Sequence, residues 1–72
     1  MNLKINGEIK TIGKPNEEFL LEDLLECLGY KPQLVVVELN GVIINPKDWI
    51  RTKIKNGDCL EVVTIVGGGS YS

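Results

Sequence analysis

One stretch of the sequence decides the fold: residues 16–32, NEEFLLEDLLECLGYKP. Its leucines recur three and four positions apart with acidic residues between them, which is the pattern of a helix with one buried face. The predicted buried positions are Leu21, Leu24, Leu25 and Leu28. Asn16 is expected to cap the start of the helix, and Gly29 is expected to end it in the left-handed conformation. Pro32 prevents any continuation.

Two short strands joined by a turn are predicted before the helix, within residues 2–12. An Asn-Gly pair provides the turn, since both residue types tolerate positive φ. A two-residue loop would pair Ile5 with Glu8 and would mix apolar and charged residues on one face. A three-residue loop pairs Ile5 with Ile9 and gives a single apolar face, so this register is predicted.

A strand is predicted directly after the helix, because residues 35–39 (VVVEL) are rich in β-branched side chains. Successive side chains of a strand point to opposite faces of the sheet. The predicted inner residues are Val35, Val37 and Leu39, and the predicted outer residues are Val36 and Glu38.

Short elements are predicted between residues 42 and 54. The segment VIIN is expected to form a short strand, and Asn45-Pro46 has the cap and the first-position proline of a short helical turn. Trp49 and Ile50 are expected to pack this turn onto the core. The following segment, RTKI, is predicted to be briefly extended.

The last strand is predicted within residues 58–66, DCLEVVTIV. Leu60 and Val62 are expected to face the core, because Glu61 belongs to the other face. Val63 and Ile65 are then partly exposed beside the end of the chain.

Two interpretations of these exposed aliphatic residues remain open. Val63 and Ile65, together with Val36 on a neighbouring strand, form a docking surface on the open sheet. Alternatively, they are scattered exposed aliphatic side chains without a function, which are common on protein surfaces.

The order of these elements predicts an α+β fold, with a mixed sheet of four to five strands packed on one main helix. The helix serves as a crossover, so strands on either side of it can be parallel. Residues 1–66 are predicted to form the single domain, and residues 67–72 a flexible glycine-rich tail.

The composition excludes several classes of function. The 72-residue chain has a net charge of −2 and no histidine, so histidine-based acid–base catalysis and a Cys–His nucleophile are excluded. Cys27 and Cys59 form no CxxC pair, so a metal site is not expected and both are predicted to be buried, reduced side chains. The basic residues between 47 and 55 have acidic neighbours, which favours a solvated rim over contact with nucleic acid.

A membrane span is not expected, because no apolar run approaches the roughly 20 residues that a spanning helix needs. The first ten residues, MNLKINGEIK, lack the pattern of a signal peptide. The protein is therefore predicted to be cytoplasmic.

The end of the chain has an unusual composition, because the last apolar run is followed by Gly67, Gly68 and Gly69. A run of glycines packs against nothing and loses backbone order, so folding alone does not require it. Either the tail is a frayed end, or it is the working part of the molecule and has to be thin and mobile.

Four segments carry a resemblance to a known family: NLKINGE, LLECLGY, VVVELNGVIINPKDW and KNGDCLEVVTIVGGG. In this order and spacing the sequence resembles the ThiS family, the sulfur carrier proteins of thiazole (thiamine) biosynthesis, over residues 1–69. The resemblance implies a ubiquitin-like β-grasp fold, which agrees with the element order predicted above.

The resemblance also implies a mechanism in which this chain is a protein co-substrate and not an enzyme. A ThiF-type adenylyltransferase, which uses ATP, would adenylate the carboxylate of Gly69, and sulfur would convert it to a thiocarboxylate. A ThiG-type thiazole synthase would take up that sulfur. Gly68 and Gly67 would form the stem that enters the partner, and no cofactor would bind to the chain itself.

Three residues, Ser70, Tyr71 and Ser72, extend beyond the glycines. A carboxyl group in the peptide bond between Gly69 and Ser70 cannot be adenylated, so these residues would have to be removed. A peptidase trims them, or they are an artificial addition, or the protein has lost the carrier role.

Two alternative functions remain open. One is another ubiquitin-like sulfur carrier, of the type of the small subunit of molybdopterin synthase, in which the acceptor of the sulfur differs. The other is a β-grasp interaction module without chemistry, for which the glycines would be dispensable.

Overall fold

The computed structural model describes residues 1–14 and 17–65. The strands and the helix are β1 Asn2–Ile5, β2 Glu8–Thr11, β3 Phe19–Leu20, α1 Leu21–Cys27, β4 Val35–Leu39, β5 Val42–Ile43, β6 Lys53–Ile54 and β7 Cys59–Thr64. Two 3₁₀ helices, Pro32–Leu34 and Pro46–Arg51, lie between them. The predicted tail, residues 67–72, lies outside the described residues, as does the predicted cap Asn16.

The main sheet has five strands in the order β2-β1-β7-β4-β5. The central pair, β1 and β7, is parallel, and the other three pairs are antiparallel. Strands β3 and β6 form a separate two-stranded sheet. The predicted mixed sheet on one main helix is confirmed.

The core lies between α1 and one face of the sheet and consists of hydrophobic side chains. Its members are Met1, Leu3, Ile5, Leu21, Leu24, Leu25, Val35, Val37, Trp49, Ile54, Leu60 and Val62. The inner faces predicted for β4 and β7 are therefore confirmed at Val35, Val37, Leu60 and Val62. In the part of the chain that the structure describes, no helix is both long and apolar enough to cross a bilayer.

The helix α1 begins later than the sequence predicted. Its first residue is Leu21, and the preceding Phe19–Leu20 pairs with β6 instead. The Leu21 N–H donates to the carbonyl of Thr52, 2.7 Å away, which continues that pairing. Bonds to a distant strand therefore replace the first helical turn expected from the local pattern.

The helix ends where the sequence predicted, at a left-handed glycine. Gly29 has a φ of +85°. Its N–H donates to the carbonyl of Glu26, and the N–H of Tyr30 donates to the carbonyl of Leu25, both at 3.0 Å. These two bonds form a Schellman motif, which satisfies carbonyls left free at the end of the helix.

The register predicted for the first hairpin is wrong. Ile5 pairs with Glu8, so the loop has only two residues, Asn6 (φ +51°) and Gly7 (φ +84°). Two residues with positive φ form a turn whose twist matches that of the flanking strands. Ile9 consequently lies exposed on the outer face of the sheet.

Two further side chains differ from their predicted environments. Ile50 is 60% exposed, although its neighbour Trp49 is buried as predicted. Cys27 is exposed and Cys59 is half-buried, so neither is a fully buried thiol. Cys27 is the last residue of α1 and lies beyond the edge of its leucine stripe.

We expect Asn6→Ala to lower the free energy of unfolding by about 2–3 kcal/mol. The Asn6 side chain bonds to both backbone groups of Val62: it accepts from the N–H at 2.7 Å and donates to the carbonyl at 3.2 Å. The substitution removes both bonds and places an alanine at positive φ. Urea denaturation measures the loss. Asn6→Gly, which accepts the same φ, should lose less, and equal stability of Asn6→Ala and wild type would contradict this account.

Candidate functional site

The outer face of the main sheet, opposite the helix, carries exposed aliphatic side chains on three neighbouring strands. Val36 of β4 lies directly opposite Val63 of β7. Ile43 of β5 lies on the same face, opposite Glu38. Val36, Val63 and Ile43 are 41%, 62% and 66% exposed, respectively. These three residues form what we call the outer patch.

The structure thus brings together two of the three residues predicted for docking, Val36 and Val63. The third, Ile65, follows Val63 on the same side of the strand but is half-buried. Its N–H donates to the carbonyl of Leu34, so its backbone remains attached to the sheet. Ile65 therefore lies at the edge of the outer patch.

Ile43 was not identified from the sequence. Its strand, Val42–Ile43, has two residues, which is too short for alternation to distinguish the two faces. The signal that reveals Ile43 is its pairing with Glu38, and this pairing depends on the Asn40-Gly41 turn, where both residues have positive φ.

The strand that leads to the glycines is held on both sides, because β7 lies between β1 and β4. On one side the N–H of Lys4 donates to the carbonyl of Asp58, at 3.0 Å. On the other side five residue pairs join β7 to β4. The predicted acyl residue Gly69, with Gly67 and Gly68, lies outside the described residues. The described chain ends four residues before Gly69, at the edge of the outer patch.

A groove of about 340 Å³ adjoins the outer patch at Val36 and Ile43. Its other lining residues are Val35, Ile44, Asn45, Pro46 and Trp49. The Trp49 indole N–H donates to the carbonyl of Ile44, at 3.1 Å. Asn45 caps the second 3₁₀ helix as predicted, since its side chain accepts from the N–H of Lys47. Trp49 therefore supports the strand that carries Ile43.

The outer face also carries two carboxylates. Glu38 of β4 lies directly opposite Glu61 of β7, in the row next to Val36 and Val63. The structure records one ion pair among the residues it describes, between Arg51 and Asp48 at 3.2 Å. Within the same residues, no three histidine, cysteine or acidic side chains are grouped closely enough to hold a metal ion. The site is thus an apolar patch with an acidic pair.

Comparison with known proteins identifies the family. The model of the ThiS family matches residues 3–69. The chain belongs to the ThiS family. ThiS proteins are small ubiquitin-like sulfur carriers of thiamine biosynthesis with the β-grasp fold, so the predicted resemblance is confirmed.

A solved ThiS structure has the same fold. The crystal structure of the thiamine biosynthesis protein ThiS from Geobacter metallireducens superimposes with a TM-score of 0.80 and 34% identity. The match covers 96% of this chain and 100% of that one.

Two curated relatives are similar to nearly the whole of this chain. The uncharacterized protein ycf40 of Pyropia yezoensis is 38% identical over 69 residues, which is 96% of this chain and 93% of the relative. The thiazole synthase of Paramagnetospirillum magneticum is 36% identical over 70 residues, which is 97% of this chain but only 21% of the synthase. A ThiS-like segment therefore forms part of a longer thiazole synthase chain.

Proposed function

We propose that this ThiS-family chain carries sulfur as a thiocarboxylate on Gly69 and delivers it to the thiazole ring of thiamine. The observation that supports this most directly is the extent of the family match, which begins at residue 3 and ends at Gly69. The sulfur-bearing carbon is then the carbonyl carbon of Gly69.

The chemistry requires a partner that supplies the catalytic groups. A ThiF-type adenylyltransferase joins the Gly69 carboxylate to the AMP portion of ATP and releases pyrophosphate. A sulfur nucleophile then attacks the carbonyl carbon, so that a C–S bond forms and AMP leaves with the oxygen. This chain is the co-substrate of that reaction: it has no histidine and binds no cofactor of its own in this scheme.

In this proposal the glycine tail carries the reacting carboxylate, and the sheet binds the partner protein. Three extended residues span about 10 Å, which is enough to bring a carboxylate from the domain into a partner's active site. Glycines lack Cβ atoms, so a narrow channel can admit them. Ordering such a tail costs conformational entropy, which a rigid docking surface offsets. Val36, Val63 and Ile65 are the proposed docking residues.

Thiazole synthase of the ThiG type is the proposed acceptor of the sulfur. Two thiazole synthases, from Paramagnetospirillum magneticum and Magnetococcus marinus, contain a segment similar to nearly all of this chain. In each of them the segment makes up 21% of the chain. A carrier and an enzyme joined in one chain are expected to work together. The two fused thiazole synthases therefore favour a carrier for thiamine biosynthesis over a carrier of the molybdopterin synthase type.

A free carboxylate at Gly69 is required, so Ser70, Tyr71 and Ser72 must be absent from the active form. We propose that a peptidase removes them, since proteolytic cleavage is common at chain termini. We propose that the reaction takes place in the cytoplasm, where ATP is available.

The test is the intact mass of the protein isolated from its own cells. It is measured before and after incubation with ATP, a sulfur source and the adenylyltransferase of the same cells. A chain that ends at Gly69 and gains the mass difference of sulfur for oxygen is the expected result. A chain that still carries Ser72 and is unchanged by the incubation would contradict the proposal and favour a β-grasp interaction module.

A further inference from the structure

The acidic pair Glu38 and Glu61 lies where folding alone would not place it. The two carboxylates are directly opposite each other on neighbouring antiparallel strands, and like charges in this arrangement destabilise a sheet. Among residues 1–14 and 17–65, no Lys or Arg forms a salt bridge with either carboxylate. Lys4, on the same outer face, lies opposite Cys59 instead. The pair therefore costs stability without a partner in the described chain.

The neighbours of the acidic pair are apolar. Val36 and Val63 occupy the next row of the same face of the sheet. Ile43, on the neighbouring strand β5, lies opposite Glu38 on that face. Any protein that covers the outer patch must also cover these carboxylates. Burying an unpaired charge is strongly unfavourable, so the covering surface has to supply positive charge.

A second copy of this chain does not meet that requirement. An isologous dimer through the outer face would bring the same patch of both copies together. Four carboxylates would then meet two Lys4 side chains in one interface, and the remaining excess of like charge opposes association. The occupant is therefore a different protein.

We propose that Glu38 and Glu61 form the charged part of the docking surface, and that they bind an arginine or lysine of the adenylyltransferase. This inference rests on the proposed function. The adenylyltransferase meets an ordinary glycine carboxylate, and three glycines offer no side chain to distinguish this tail from another. Recognition must then come from the domain. Thiazole synthase, in contrast, can select the thiocarboxylate itself.

The two parts of the surface act differently during binding. Complementary charges accelerate encounter and orient the partners, and their effect falls as salt screens them. Apolar contacts slow dissociation and depend little on salt. The acidic pair therefore controls the association rate, and the aliphatic side chains of the outer patch control the dissociation rate.

The experiment measures binding to the purified adenylyltransferase of the same cells at low and high ionic strength. The carrier is used in the form isolated from those cells. The double variant Glu38→Gln/Glu61→Gln is compared with Glu22→Gln/Glu26→Gln, which removes the same charge from the exposed side of α1. We expect the first variant to associate about tenfold more slowly at low salt, with the difference closing at high salt. The second variant should associate as wild type does.

Thermal unfolding of the same variants separates binding from folding. Glu38→Gln/Glu61→Gln should be at least as stable as wild type, because a like-charge contact is removed. Slower binding by an equally stable protein would support docking. Association of Glu38→Gln/Glu61→Gln at the wild-type rate, or equal slowing of both double variants, would overturn the inference.

The docking inference and the proposed function can fail separately, and the results distinguish the two failures. If wild type gains a thiocarboxylate and Glu38→Gln/Glu61→Gln binds normally, only the docking inference fails. If binding depends on Glu38 and Glu61 but no thiocarboxylate forms, the sulfur chemistry fails and the docking inference stands. If wild type does not bind the adenylyltransferase at all, both are wrong.

Discussion

Replacing Trp49 by alanine should lower the free energy of unfolding by about 3–5 kcal/mol. Trp49 is 1% exposed and lies among the buried residues that join the second 3₁₀ helix to α1 and the sheet. Its indole N–H also donates to the carbonyl of Ile44. A small domain has a total stability of only about 5–15 kcal/mol, so the variant should unfold at a much lower temperature.

Ile50→Ala is the matched control for Trp49→Ala. Ile50 is the next residue but is 60% exposed, so its truncation should change the free energy of unfolding by no more than about 0.5 kcal/mol. Circular dichroism in urea is the appropriate measurement, because Trp49 is the single tryptophan and its removal abolishes that fluorescence signal. Equal losses for the two variants would contradict the placement of these side chains.

The parts of the fold that depend on local chemistry were predictable from the sequence. The leucine stripe of α1, the left-handed Gly29 and the Asn45-Pro46 cap each involve residues a few positions apart. The hairpin register was missed although Asn6-Gly7 favours a two-residue turn, because the prediction gave more weight to a single apolar face. Asn6 bonds to Val62, 56 positions along the chain, and no local pattern reports that bond.

In the candidate site, as in the fold, local patterns were predictable and long-range pairings were not. Alternation within β4 and β7 identified Val36 and Val63 as outward-facing residues, because a strand of five or six residues has a clear period. To predict that Glu38 lies opposite Glu61, one has to know how β4 pairs with β7, and these strands are far apart in sequence. Like charges would ordinarily argue against such a register, so sequence reasoning alone could not have proposed it.

Chain length at the glycines should have the largest effect on sulfur transfer. A chain ending at Gly69 should gain a thiocarboxylate when incubated with the adenylyltransferase, ATP and a sulfur source. The full 72-residue chain should not, because its Gly69 carbonyl is held in a peptide bond to Ser70. Intact mass spectrometry follows the replacement of oxygen by sulfur in both chains.

A chain ending at Gly68 tests whether the length of the tail, and so the position of its carboxylate, also matters. One residue fewer places the carboxylate about 3.3–3.6 Å short of the reacting position. Misplacement by even 1 Å can cost about a hundredfold in rate, so this chain should react at least that much more slowly than the chain ending at Gly69. All three chains keep the core intact, and matching circular dichroism melts would exclude unfolding as the cause. Sulfur gain by the full chain at the rate of the Gly69 chain would show that the reacting carboxylate is not that of Gly69.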